Sequence, residues 1–395
     1  MHERAFTGPL PDWARWNRAA AERPWTVGIE EEVMLLDPGD WRLVNRIDDV
    51  LAALPPSLAA HAGAETHACV VELRTAGHPT VAGATAELAT LRRSLDGALR
   101  DDLGARAAVA GTHPLATHAD VAPSGSARHR EVAATMRSLA QREPTMALHV
   151  HVAVPDEAAA VRALDGLRVE LPTLLAVSAN SPYWRGADSG FASARIPIFS
   201  AFPRVGIARH FGNYLRYVQA IDPLLRAEAI PDPGFVWWDA RLQPRLGTVE
   251  VRIMDAQSRV SDAAALAALV QCRVRRHAGA PAAHAVGTEV LAENRFLAAR
   301  DGMRARFIAS GPRRRPARRT LANLLDDSAP FADELGCATE LAMAAELGAT
   351  PGDERQRAHV ARYGLSTLPA RLEAEFAPAD RPLVTLDTSA CSGPA

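Results

Sequence analysis

Four short apolar segments of this 395-residue chain carry charged or imidazole side chains at or near a two-residue spacing, and that limits the fold more than any other feature. Side chains at i and i+2 of a β-strand point to the same face. In TVGIEEEVMLL (26–36) this places Glu30 and Glu32 side by side and Glu31 on the opposite face. Glu65 and Glu72 flank and enter a second strand reading, 67–75, while His149 and His151 repeat the spacing in ALHVHVAV (147–154). Glu250 and Arg252 do so again in TVEVRIM (248–254). A strand is an expensive place for carboxylates unless something neutralises them. Taken singly, each pair has an ordinary explanation: solvated acids on an edge strand, a core histidine pair, a cross-strand ion pair. Taken together, four strands that bring such groups to one sheet face predict a funnel for hard cations. Mg²⁺ or Mn²⁺ suits a set of mostly carboxylates with an occasional imidazole.

The remaining pattern alternates strands with long helices. Asp37-Pro38-Gly39-Asp40 reads as a turn, and Leu88, Leu91, Leu95 and Leu99 give the stripe of a helix over 81–103. A short strand is expected over 106–111 and helices over 155–179, 211–225 and 261–277, the last capped by Ser261 or Asp262. Beyond 287 the pattern is mostly helical. Antiparallel-looking strands mixed with long helices argue an α+β fold. Residues 1–24 are expected as an N-terminal extension, 25–380 as a single domain and 381–395 as a flexible tail.

Composition removes several classes of function. The 46 acidic and 44 basic residues leave a formal charge of −2, which argues against a global grip on nucleic acid or an anionic membrane. No apolar run approaches the roughly 20 residues of a bilayer span, and residues 1–23 lack the apolar core of a secretion signal, so a cytoplasmic protein is expected. Every one of the 44 basic residues is Arg. Without Lys there is no Schiff-base chemistry and no P-loop, so any nucleotide must be handled by Arg and metal. Cys69, Cys272, Cys337 and Cys391 are scattered without metal-ligand spacing and read as reduced thiols.

The same residues carry a family likeness. The segments TVGIEEEVMLLDP (26–38), VVELRTAGHPTVAGATAEL (70–88), AGTHP (110–114), LHVHVAVPD (148–156), LPTLLAVSANSPYWRGADSGFASAR (171–195), WWDARLQPRLGTVEVRIMDAQSRVSD (237–262) and AENRFLAARDG (292–302) resemble glutamate–cysteine ligase family 2, the carboxylate–amine ligases. The resemblance implies a glutamine synthetase/guanido kinase-like fold, a mostly antiparallel curved sheet forming an active-site funnel with helices on its outer face. It also implies an ATP- and Mg²⁺-dependent ligase that forms an amide through an acyl phosphate and releases ADP and phosphate. By that resemblance Glu30, Glu32, Glu65, Glu72, His149 and Glu250 are metal ligands. His151 is a nearby phosphate or metal contact, Arg252 a phosphate contact and Arg195 a second anion contact. Small-molecule substrates, a carboxylate and an amine, follow from the class, which also suggests a homodimer. A reactive acyl phosphate needs shielding from water, and residues 184–205 are the expected cover. Two departures bear on substrate: Thr145-Met146-Ala147 stands where the family carries a Cys-Gly pair, and ARIPIFSAF (194–202) replaces a stretch bearing Tyr, Arg, Gln and Trp. Rival readings are a phosphotransferase on the same fold, a nucleotide or amino-acid sensor without turnover, and a divalent-metal hydrolase.

Overall fold

The computed structural model describes residues 9–281, 285–309 and 313–377. In chain order the principal elements are β1 (Val27–Leu36), β2 (Ala62–Ala64), β3 (Val70–Arg74), α1 (Val81–Ala98), β4 (Arg106–Ala108), α2 (Ala127–Met136) and β5 (Ala147–Ala153). They continue with α3 (Glu157–Leu167), α4 (Leu171–Ser178), α5 (Arg195–Phe199), α6 (Tyr214–Arg226), β6 (Ala240–Gln243), β7 (Thr248–Asp255) and α7 (Val260–Gly279). Five helices follow: α8 (Thr288–Asp301), α9 (Ala317–Leu335), α10 (Ala338–Ala349), α11 (Gly352–Tyr363) and α12 (Leu368–Phe376).

The strands form one seven-stranded sheet in the order β6-β7-β5-β1-β3-β2, with β4 paired to the far end of β1, and every pairing is antiparallel. This is the α+β architecture expected. Alternation decides its two faces. Val27, Ile29, Leu148, Val150, Val152, Val249, Val251 and Ile253 share a core with residues of α3, α4 and α7, so helices cover one face and the other keeps the acids and imidazoles. A second core cluster gathers Val33 to Leu36, Leu91, Leu95, Leu99 and the α12 residues Leu368, Leu372 and Phe376.

β7 carries one extra residue. Val251 stands opposite Val150, yet Met254 stands opposite Leu148. Ile253 and Met254 therefore both enter the core, and the alternation restarts with Asp255 on the same side as Glu250 and Arg252.

Several expected elements differ in extent. The single helix expected over 155–179 is two, α3 and α4, interrupted at 168–170. Pro172 has no N–H to continue a helix but is tolerated in the first turn of a new one. The helix expected from 211 begins at Tyr214, where Asn213 caps it by accepting from the Arg216 N–H at 3.0 Å. α7 starts at Val260 after Arg259, so neither Ser261 nor Asp262 is the cap; Asp262 is instead paired with Arg355. The strand over 67–75 shortens to β3, because the chain turns at 67–70, where the Val70 N–H bonds the His67 carbonyl at 3.1 Å. The strand over 106–111 shortens to β4. Of the N-terminal stretch, Ala14 and Trp16 are buried and the Tyr214 hydroxyl donates to the Ala14 carbonyl at 2.6 Å. The tail expected over 381–395 lies outside the described residues.

Candidate active site

The register of the four central strands, β7, β5, β1 and β3, brings the predicted residues together. Glu30 pairs across from His149, Glu32 across from Glu72, and His151 sits between Gly28 on β1 and Glu250 on β7. His149 Nδ1 lies 3.2 Å from Glu30, 3.4 Å from an Arg252 guanidinium nitrogen and 3.9 Å from Glu250, while its Nε2 lies 3.9 Å from Glu32. One ligand atom each from Glu30, His149 and Glu250 falls within 4.8 Å of the others. Two ligands of a Mg²⁺ ion at about 2.1 Å each can stand at most ~4.2 Å apart, so these three need to draw in by only a few tenths of an ångström. The donor set, two carboxylates and an imidazole, suits Mg²⁺ or Mn²⁺.

Glu250 is wholly buried and is the most heavily bonded acid of the group. Arg241 Nε donates to it at 2.7 Å, Gln243 at 2.6 Å, and Arg252 bonds its other oxygen. Burial alone would raise its pKa, but the Arg241 and Arg252 charges hold it well below the usual carboxylate range. Glu30 is likewise held low against its burial, by His151 and His149. His151 is raised despite burial, by the charges of Glu30 and Glu250; its Nδ1 lies 3.1 Å from the Thr248 hydroxyl. His149 is pushed down to about 4 by burial and by Arg252, which keeps its ring neutral and a lone pair free.

The other acids are in the opposite state. Glu32 is pushed up to about 8 by burial and by the neighbouring Glu65. Burial also raises Glu65 and, together with Glu30, lifts Glu72 well above its ordinary value. Glu32 accepts from the Ala147 N–H at 2.7 Å and Glu72 from Arg74 at 3.1 Å. Glu65 sits between β2 and β3 rather than on a strand, its carboxylate turned onto the Thr66 N–H at 3.1 Å. Three carboxylates face one space, where burial and, for Glu32 and Glu72, the charge of neighbouring acids work against their ionisation.

Arg195, expected in a loop, is the first residue of α5 and is buried. Its terminal nitrogens donate to the Ile253 and Arg252 carbonyls at 3.1 Å each, and its Nε is buried without a partner. Asp255 positions this corner: it accepts from the Asn180 N–H at 2.9 Å, Ser181 at 2.7 Å and Ser193 at 2.8 Å, and lies 3.9 Å from Arg195. Of the segment expected to cover the site, 184–205, Ala192 to Ile196 are built into the wall, while most of the remainder is exposed or half-buried. The segment lines a cavity of about 340 Å³ with Arg195, Ile198, Phe199 and Phe202, opposite Glu30, Glu32, Glu65 and Glu72. A second cavity of about 310 Å³ lies on the other side of Glu30, against Arg23, Gly28, Thr75, His151 and Thr248.

Arg241, Gln243, Thr248 and Asp255 were not singled out from the sequence. Arg241 and Gln243 repeat the i, i+2 spacing in ARLQ, so the rule that found the other pairs applies to them too. Asp255 carries no such signal, because the extra residue in β7 is what turns it to this face.

Comparisons with known proteins place the chain in a family. The family model for glutamate–cysteine ligase family 2 matches residues 26–371. Two proteins of Rubrobacter xylanophilus carry the provisional names glutamate–cysteine ligase 2-3 and 2-1. The first is 39% identical over 353 residues, spanning 88% of this chain and 95% of its own. The second is 37% identical over 338 residues, spanning 84% and 89%. Among solved structures, a glutamate–cysteine ligase of Francisella tularensis in complex with AMP superposes with a TM-score of 0.68 at 12% identity, over 90% of each chain. A bifunctional glutathione synthetase of Pasteurella multocida gives 0.64 at 11% identity, over 91% of this chain and 53% of the other. At such identities the structural likeness speaks for the fold, whereas the sequence match extends through every strand of the site. The chain belongs to glutamate–cysteine ligase family 2 and is an enzyme of the carboxylate–amine ligase type.

Proposed function

We propose that the chain is an ATP- and Mg²⁺-dependent ligase that joins a small carboxylic acid to an amine through an acyl phosphate, releasing ADP and phosphate. The observation that carries this reading is the Glu30–His149–Glu250 triangle with Arg252 bonded to one of its corners. Glu30, His149 and Glu250 would hold a divalent ion, with Glu32, Glu65 and Glu72 facing the same cavity. Bound cations would offset the charge of the triphosphate and of the attacking carboxylate, which otherwise repel.

The protein's own groups do the rest by position. Arg252 presents a fixed positive charge beside the cation triangle, where phosphoryl oxygens gather charge. Arg241 and Gln243 orient Glu250, and the Thr248 hydroxyl orients His151 toward Glu30. Neutral His149 is available as a ligand without first losing a proton. Two cavities that meet at Glu30 suit a reaction whose substrates approach from different sides. Such a reaction requires no side-chain nucleophile. A phosphotransferase would use the same groups but yield a phosphorylated product and no amide.

ADP release by the purified chain with ATP and Mg²⁺, across pairs of acids and amines and with mass analysis of products, tests the reading. Release that requires both partners, with the amide mass present, supports it. Release with one partner and a stable phosphorylated product overturns it.

A further inference from the structure

The cavity of about 340 Å³ has two unlike sides. One is the acid cluster; the other is an apolar wall made by Ile198, Phe199, Phe202 and Trp237. The Phe199 and Phe202 rings are 5.5 Å apart between centroids, and Phe202 meets the edge of Trp237 at 6.0 Å. The Arg195 guanidinium lies 5.8 Å from the Phe199 centroid while its nitrogens hold the Arg252 and Ile253 carbonyls. The wall is thus fixed to the strand that carries Glu250 and Arg252, with Arg195 between them.

Phe199, Phe202 and Trp237 are only half-buried, so each keeps ring surface that nothing in the chain covers. The wall's single polar side-chain group is the Trp237 indole N–H. A hydroxyl placed flat on these rings would surrender water for the indole N–H alone, and a thiol would bury far less apolar area than a larger side chain. An aromatic or branched aliphatic side chain would lose nothing and would bury apolar surface on both sides.

Resting on the ligase reading above, we infer that the amine substrate carries an apolar side chain, aromatic or branched, seated against Phe199, Phe202 and Trp237. The acid belongs elsewhere in the cavity: its carboxylate must reach the cation-binding acids and Arg252. Arg195 separates that position from the wall, which leaves the wall to the second substrate.

The test is titration calorimetry of the full chain with Mg²⁺ and a non-hydrolysable ATP analogue present. L-phenylalanine and L-leucine are compared with L-serine and L-cysteine, and phenethylamine with 3-phenylpropanoate. The apolar amino acids are expected to bind at least about tenfold more tightly than the polar ones, the scale on which pockets separate apolar side chains, and the amine more tightly than the acid. Phe202→Ser should abolish that preference and Phe202→Leu retain it, with the ATP analogue's affinity moving in neither. Equal or tighter binding of serine or cysteine, no binding of any of them, or preference for 3-phenylpropanoate would overturn the inference. So would weakened binding of the ATP analogue in Phe202→Ser, which would give the wall to the adenine ring. Apolar preference without ADP release in the turnover assay would uphold the pocket's selectivity and remove the ligase reading instead.

Discussion

Glu31 and its neighbours Glu30 and Glu32 stand on opposite faces of one strand and meet opposite fates. Glu31, on the helix-covered side, is wholly buried and bound by Arg92 through both oxygens. Arg92, also fully buried, spends its remaining donors on the Ser258, Phe376 and Gln257 carbonyls at 2.9, 3.0 and 2.7 Å. Every charge and donor in that pair is satisfied by the protein. On the other face Glu32, Glu65 and Glu72 share a space in which no guanidinium among the described residues grips any of them through both oxygens, and burial drives them toward their protonated forms. A satisfied buried acid serves the fold, and an unsatisfied group of them is an invitation to a ligand from outside.

The contrast is sharpest when Arg92 is removed. Arg92→Met leaves Glu31 bare and three carbonyls without a donor, and should cost about 3–5 kcal/mol of unfolding free energy in urea titrations. A loss below about 1 kcal/mol would erase the distinction between the faces. Glu30→Gln should weigh the other way, lowering ADP release about a hundredfold or more, as loss of a metal contact does, and costing less unfolding free energy than Arg92→Met, since Glu30 keeps solvent contact and an amide can still bond the imidazoles. Near-normal turnover would remove Glu30 from the cation site.

Asp353 offers a third setting: an acid only 1% exposed, with neither carboxylate oxygen hydrogen-bonded and Arg304 no nearer than 3.8 Å. Burial pushes it up to about 7 against the partial help of Arg304. Its folded pKa exceeds its unfolded one, so the folded chain holds the extra proton, and stability falls as pH rises from about 4 to 7. Asp353→Asn should flatten that slope and add roughly 2 kcal/mol at pH 8, read by urea midpoints at pH 5 and pH 8; an unchanged slope would place the lost stability elsewhere. The smallest effect belongs to Glu32→Gln. With its proton held up to about 8, the substitution imitates the metal-free state at neutral pH. It should move unfolding free energy by less than about 1 kcal/mol; a larger loss would mean that Glu32 is ionised and paired like Glu31.

The strand faces were legible because alternation is a local property: the spacing of Glu30 and Glu32, His149 and His151, and Glu250 and Arg252 states which side chains share a side. What that spacing does not state is the partner across the ladder. Arg241 comes to Glu250 through the β6–β7 pairing, and Arg92 reaches Glu31 from 61 residues away on α1. The acidic run was readable as solvated charge for the same reason, since nothing local reveals Arg92 behind Glu31. Helix ends were misplaced where a proline or a distant ion pair overrode the local pattern, as at Pro172 and Asp262. Cys272 and Cys337, scattered in sequence, bring their sulfurs to 3.6 Å when α7 meets the start of α10.

The additional residue in β7 makes the parity of the backbone, more than side-chain identity, the constrained quantity between Glu250 and Asp255, which five positions apart on a regular strand would face opposite ways. Were the same residues to run in strict alternation, the strand would keep its composition and its hydrogen-bonding capacity, yet Met254 would turn toward the acids and Asp255 toward the helices. Asn180, Ser181 and Ser193 would lose their common acceptor, and Arg195 its footing. Laboratory variants of this segment keep that corner only if Glu250 and Asp255 still emerge on one face, through the bulge or through a stretch one residue shorter without it.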